Sequence, residues 1–215
     1  MCFSASASFI AGATLTVIGV ASIKKTKKPS EIPFASIPLL FALQQITEGF
    51  VWLSLTNPDY AFLEGFSAHA FIFFAQVVWP FWVPFSFLKF EQNKDSNITG
   101  KLLVGTGAIL AAVLAYYLFT YPVKAEVLGS HISYNQDYPE RFRLLGGLLY
   151  VVVTIAPPFI SSMKKTWILG STIFLSYIIT EIFYTQYIVS VWCYFAALLS
   201  SLVLWIIVSN KKNRV

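Results

Sequence analysis

Charge, sulfur and imidazole are all scarce in this 215-residue chain: 12% of its residues are Asp, Glu, Lys or Arg, and it has two cysteines, two methionines and two histidines. So little charge excludes an ordinary soluble domain, in which about a quarter of the residues are charged. It also excludes nucleic-acid binding, because the net charge of +5 is not gathered on any soluble basic face. There is no His-Glu-x-x-His or Cys-x-x-Cys run, and two histidines are too few for a three-histidine zinc centre of the kind used by seven-helix ceramidase-type hydrolases. The longest polar stretches, Tyr121–Phe142 and Phe90–Lys101, are too short to bury a core of their own, so the chain reads as a single domain over residues 1–215.

What the chain has instead is long apolar runs: 57% of it is hydrophobic and its mean hydropathy is +0.68. A helix rises about 1.5 Å per residue and the hydrocarbon core is about 30 Å thick, so runs of roughly 17 to 25 apolar residues are the unit of a crossing. Seven fit, at Phe3–Ile23, Ile32–Leu55, Phe62–Leu88, Leu102–Tyr121, Arg143–Ser162, Trp167–Gln186 and Tyr187–Val208. The last two are read as a pair with a tight turn near Gln186, because one helix over that stretch would be about 63 Å long. The expected fold is an all-α integral membrane protein of seven transmembrane helices.

The basic residues set the expected orientation. Short cytoplasmic loops are rich in Lys and Arg. One side of the bundle would hold Lys24, Lys25, Lys27, Lys28, Lys89, Lys94, Lys101, Lys164, Lys165, Lys211, Lys212 and Arg214, and the other Lys124, Arg141 and Arg143. That asymmetry places the N-terminus outside and the C-terminus inside, in a lipid bilayer that is expected to be a bacterial inner membrane. The first apolar run has no basic stretch before it, and Lys24–Lys28 follow it, as in an uncleaved span rather than a signal peptide. The polar and aromatic stretch Tyr121–Phe142 reads as an exposed outer loop, with a cover over the bundle opening as the other reading.

Carboxyl groups inside apolar runs are costly and mark candidate sites. Two occur in matching words, Ile46-Thr47-Glu48-Gly49-Phe50 and Ile179-Thr180-Glu181-Ile182-Phe183, in spans two and six. Both spans would run from inside to outside, which allows a 3+1+3 parallel repeat with halves 3–88 and 143–208 and a linker helix at 102–121. Gln44, Glu48 and Trp52 recur every four residues with Gln45 beside them, so span two carries a polar face. His69 and Gln76 lie on one face of span three, with His69 at a depth similar to Glu48. Tyr177 and Tyr184 flank Glu181 at helical spacing and offer two phenols, while Tyr187 and Trp192 read as interfacial aromatics.

Cys2 and Cys193 both fall at the outer ends of their spans, where an oxidising compartment permits a disulfide between them. A mixed zinc or iron site drawn from Glu48, His69, Glu181 and Cys2 is the competing reading, since thiolate, imidazole and carboxylate are all ligands of those metals. Small residues mark helix contacts, among them Ser4, Ser8, Gly12 and Thr16 in span one and Gly107, Ala111 and Ala115 in span four.

The opening Met1-Cys2-Phe3-Ser4-Ala5, together with Pro38–Gln45, Glu48-Gly49 and Val51-Trp52, resembles an uncharacterised family of small bacterial polytopic membrane proteins that share a Met-Cys-Phe-Ser-Ala signature. The resemblance implies a bacterial membrane protein without an established activity. Three functions fit the residues. The first is a small-solute or ion transporter, or ligand-binding protein, with Glu48 and Glu181 as protonatable groups, although the Pro-Gln dipeptide of PQ-loop transporters is absent. The second is a metal-dependent membrane hydrolase. The third is a structural or sensory subunit.

Overall fold

The computed structural model describes residues 4–91, 98–163 and 165–212. Its helices alternate in direction along one bundle. The first, α1 (Ala5–Lys25), starts where the Ser4 hydroxyl accepts from the Ala7 N–H and stops at Thr26, which is extended. Residues 32–55, expected as one span, are two pieces: a short α2 (Ile32–Ala35) and α3 (Ile37–Thr56). Pro33 and Pro38 explain the joint at Ser36, since proline is tolerated in a helix's first turn, where the missing N–H has no helical partner to lose.

The third crossing is broken more deeply, into α4 (Glu64–Phe73), a π-turn (Phe74–Val78) and α5 (Trp79–Phe90). In the π-turn the Trp79 N–H reaches back to the Phe74 carbonyl, five residues before it. Pro80 follows and has no N–H to give, so the Ala75 carbonyl is left without a helical donor. A phenol from another helix fills that vacancy, as described below.

The chain continues through α6 (Ile98–Thr120), a hairpin of β1 (Val123–Leu128) and β2 (His131–Gln136), and α7 (Glu140–Ile160). It ends with α8 (Thr166–Phe183), a 3-10 turn at Thr185–Tyr187, α9 (Ile188–Leu199) and α10 (Ser201–Lys212). The turn at Thr185–Tyr187 is the reversal expected near Gln186, and α8 packs back along α9. The stretch read as an exposed loop is instead an antiparallel hairpin with Val123 opposite Gln136 and Leu128 opposite His131, turning at Gly129 with φ +64°. It packs on α4 and α9 and covers one end of the bundle.

Among the described residues, six helical segments are long and apolar enough to cross a membrane: Ala5–Lys25, Pro29–Thr56, Pro58–Phe90, Ile98–Thr120, Thr166–Phe183 and Thr185–Asn210. The apolar part of α7, Leu144–Ile160, is shorter. Large apolar side chains such as Val17, Ile109, Phe119 and Ile182 point outward, the reverse of a water-soluble surface.

Close approach between helices relies on small residues. A Cβ on Gly12 would meet Ala42 and Ile46 of α3, and one on Gly19 would meet Leu39. A Cβ on Gly107 would lie 2.0 Å from the Pro80 carbonyl oxygen, so α6 rests directly on the broken crossing. At the end opposite the hairpin, Glu91 accepts from the Ser162 N–H at 2.8 Å and also bonds the Ser162 hydroxyl.

Candidate functional site

Glu48 is completely buried midway along α3, and its partners come from a different part of the chain. The Ser190 hydroxyl of α9 donates to one carboxyl oxygen at 2.6 Å, and the Gln45 amide faces the other at 3.4 Å. One turn earlier, Gln44 accepts from the Trp79 indole N–H at 2.7 Å. Gln44 also lies within hydrogen-bonding reach of the Cys193 thiol of α9, which sits in the field of Glu48. The polar face expected on span two therefore exists, and it is turned into the bundle toward α5 and α9. Trp52 belongs to the same face and is buried, with its indole N–H unbonded.

Glu181 does not mirror this arrangement. It is exposed near the end of α8, while its neighbour Thr180 is fully buried and bonds back to the Ser176 carbonyl. The two matching words are thus turned by one residue, about 100°, relative to the interior. In α3 the carboxyl faces in; in α8 the threonine does. His69 is half-buried and its Nδ1 is paired with the Gly65 carbonyl of its own helix at 2.7 Å, so it joins neither carboxyl. Among the described residues no three His, Cys, Asp or Glu side chains gather where one metal ion could hold them. Cys2 lies outside the described residues, and Cys193 is a buried free thiol.

The interior also holds a series of cavities. A space of about 560 Å³ lies beneath the hairpin, lined by Lys124, Tyr134, Gln136, Asp137 and Gln76. Gln76, Tyr138 and Val189 also line a second space, of about 200 Å³, bounded further in by Tyr150, Tyr177 and Trp192. Tyr150, Trp192 and Cys193 then form the boundary with a third, of about 60 Å³, which runs toward Trp79, Thr154 and Val203. Adjacent cavities share lining side chains. Gly147 faces open space on the wall of the second.

Three hydrogen bonds brace the walls of these cavities. The Tyr150 hydroxyl donates to the Ala75 carbonyl at 2.5 Å, filling the vacancy that Pro80 creates. The Gln76 amide donates to Gln136 of the hairpin at 3.1 Å, and the Gln136 amide donates to the Tyr117 carbonyl at 3.1 Å. Tyr150 and Tyr177 each meet the Trp192 ring edge to face, at 5.8 and 5.2 Å. Trp192 is therefore a wall of these cavities, and its indole N–H is unbonded, as is Gln76 Oε1. Tyr184 sits at the end of α8 with His131 of the hairpin 5.4 Å away, and His131 stacks on Tyr187 at 4.8 Å. Partial burial lowers the His131 pKa from its ordinary 6.5.

Tyr150, Trp192, Ser190 and Trp79 were not singled out as site residues from the sequence. No spacing rule links them to Glu48, because they arrive from three other helices. The usable signal was Trp79-Pro80, where a missing N–H in mid-span demands an outside donor.

These features define a multi-pass helical protein with a buried polar centre beside a series of interior cavities. The chain belongs to the Family of unknown function (DUF6629), which matches it over residues 1–215. No curated protein and no solved structure matches it.

Proposed function

We propose that this protein is a small-solute transporter of the bacterial inner membrane, taking its solute from the hairpin side into the bundle. The observation that carries the reading is the run of three cavities with shared walls, from the hairpin to the Trp79 level. Concave interior spaces with mainly apolar linings and a few polar groups are the usual form of a small-molecule site. The unbonded Trp192 N–H and Gln76 Oε1 supply one donor and one acceptor there, which suits a mostly apolar solute with one or two hydrogen-bonding groups. Glu48 adds an exchangeable charge behind the wall, reached through Gln44 and Cys193.

The orientation follows from the lysines. Lys24, Lys25, Lys27, Lys28, Lys89, Lys101 and Lys165 sit at the ends of helices opposite the hairpin, which supports an N-terminus and hairpin outside. Helices α3 and α8 both run toward the hairpin, as a 3+1+3 repeat requires, with the carboxyl turned inward only in the first half.

Cys193 provides a test that needs no knowledge of the solute, because it lines both deeper cavities. In a Cys2→Ser background, a small water-borne methanethiosulfonate reagent applied from the hairpin side is expected to modify Cys193, and Gly147→Trp is expected to slow that modification strongly. Complete resistance of folded protein, or labelling indifferent to Gly147→Trp, would refute a passage from that side.

A further inference from the structure

Two fully buried oxygens in the middle of the bundle have no hydrogen-bond partner, and both lie at the level of Glu48. One is Gln45 Oε1, whose own amide nitrogen faces the Glu48 carboxyl. The other is the Ser8 hydroxyl on α1. Its depth follows from its neighbours: Gly12, one turn further along the same face, sits against Ala42 and Ile46, while the Phe9 ring covers Gly49. Ser8 therefore faces the Gln45–Gly49 turn of α3. Ser8, Gln45, Glu48 and Ser190 are each 0% exposed.

Buried polar atoms are nearly always paired, so an orphaned one marks a missing water or ion. Here the set is a carboxyl, an amide carbonyl and two hydroxyls, all hard oxygen donors. Oxygen ligands select hard cations over zinc or copper. A divalent ion would ordinarily draw on more than one carboxylate, and Glu48 is the only one in this set.

We propose that Ser8, Gln45, Glu48 and Ser190 form a monovalent-cation site, and that its cation is sodium. The ion would tie α1, α3 and α9 together at the point where Gln44 holds Trp79 and touches Cys193. Both of those side chains line the deep cavity, so cation occupancy is transmitted to its wall. This coupling rests on the solute reading above, whereas cation binding does not.

The test is thermal unfolding of the purified full chain in detergent, in NaCl, KCl or N-methyl-D-glucamine chloride at equal ionic strength, with 22Na+ binding measured in parallel. Sodium is expected to raise Tm saturably, by about 3–5 °C at ten times Kd, with potassium less effective. Ser8→Ala removes only an orphaned atom, so it is expected to fold as well as the parent protein in sodium-free buffer and to lose the sodium shift; Gln45→Leu, which also takes away the amide facing Glu48, is expected to lower Tm in sodium-free buffer and to lose the shift as well. A Tm independent of sodium in folded parent protein would overturn the proposal, as would a shift that survives both variants. A Tm that responds to pH and not to sodium would assign Glu48 to a proton instead. Because Cys193 labelling needs no cation, failure of the sodium site and failure of the passage are separately visible.

Discussion

The Tyr150 hydroxyl lies 2.5 Å from the Ala75 carbonyl, which no backbone N–H of its own helix serves. Across α7 and the broken third crossing, one phenol thus repairs a defect that a proline 70 residues earlier introduces. Tyr150→Phe is expected to cost about 1–3 kcal/mol, the penalty for stranding a buried carbonyl. Unfolding of the purified protein in a denaturant series, compared with Tyr116→Phe at an exposed position of α6, measures it.

Gly107 marks the other side of the same break. An alanine there would bring Cβ within 2.0 Å of the Pro80 carbonyl oxygen, and backbone cannot swing away as a side chain can. Gly107→Ala is expected to destabilise by about 1–3 kcal/mol, the usual range for overpacking. Gly105→Ala, on the same helix with open space around it, is the control and should fold without that loss.

The two carboxyls of the matching words should behave differently. Glu48→Leu removes the acceptor of Ser190 and leaves two buried polar side chains facing hydrocarbon, so a loss of about 1–3 kcal/mol is expected. Glu181 is exposed, and Glu181→Gln is expected to stay within about 0.5 kcal/mol of the parent and to leave Cys193 labelling unchanged. Equal effects at the two positions would contradict the one-residue offset between α3 and α8.

His131 gives the hairpin a pH dependence. Burial favours its neutral form in the folded protein, so the folded pKa lies below the ordinary 6.5. Between those two values the unfolded chain binds the extra proton, and stability falls as the pH drops. Hairpin docking is therefore fully present above pH 6.5 and weakens as pH falls through the lowered value. The hydrogen-exchange protection factor over residues 123–136, taken relative to the intrinsic exchange rate at each pH, should fall at acid pH in the parent protein, and His131→Gln should flatten that response.

How much of this could be read from the chain follows from what each signal encodes. Hydropathy marked where helices run, because crossing length is a one-dimensional property; it missed the breaks at Ser36 and Phe74–Val78, where the prolines stood in view. Glu48 was found because a carboxyl in an apolar run is conspicuous anywhere. Glu181 has the same neighbours in sequence, yet sits two residues from the end of α8 facing outward, and local wording carries no information about which face packs inward. Trp192 was read as an interfacial aromatic because it follows the turn closely. Only the docking of α9 against α3 and α7 shows it lining the interior.

Gln136 binds two helices with one carboxamide: its oxygen takes the Gln76 amide and its nitrogen holds the Tyr117 carbonyl. Both bonds run through one planar group, so a single side chain joins β2 to the broken crossing and to α6. The space beneath the hairpin and the one behind it share Gln76 as a wall, so the side chain that the strand holds lines both.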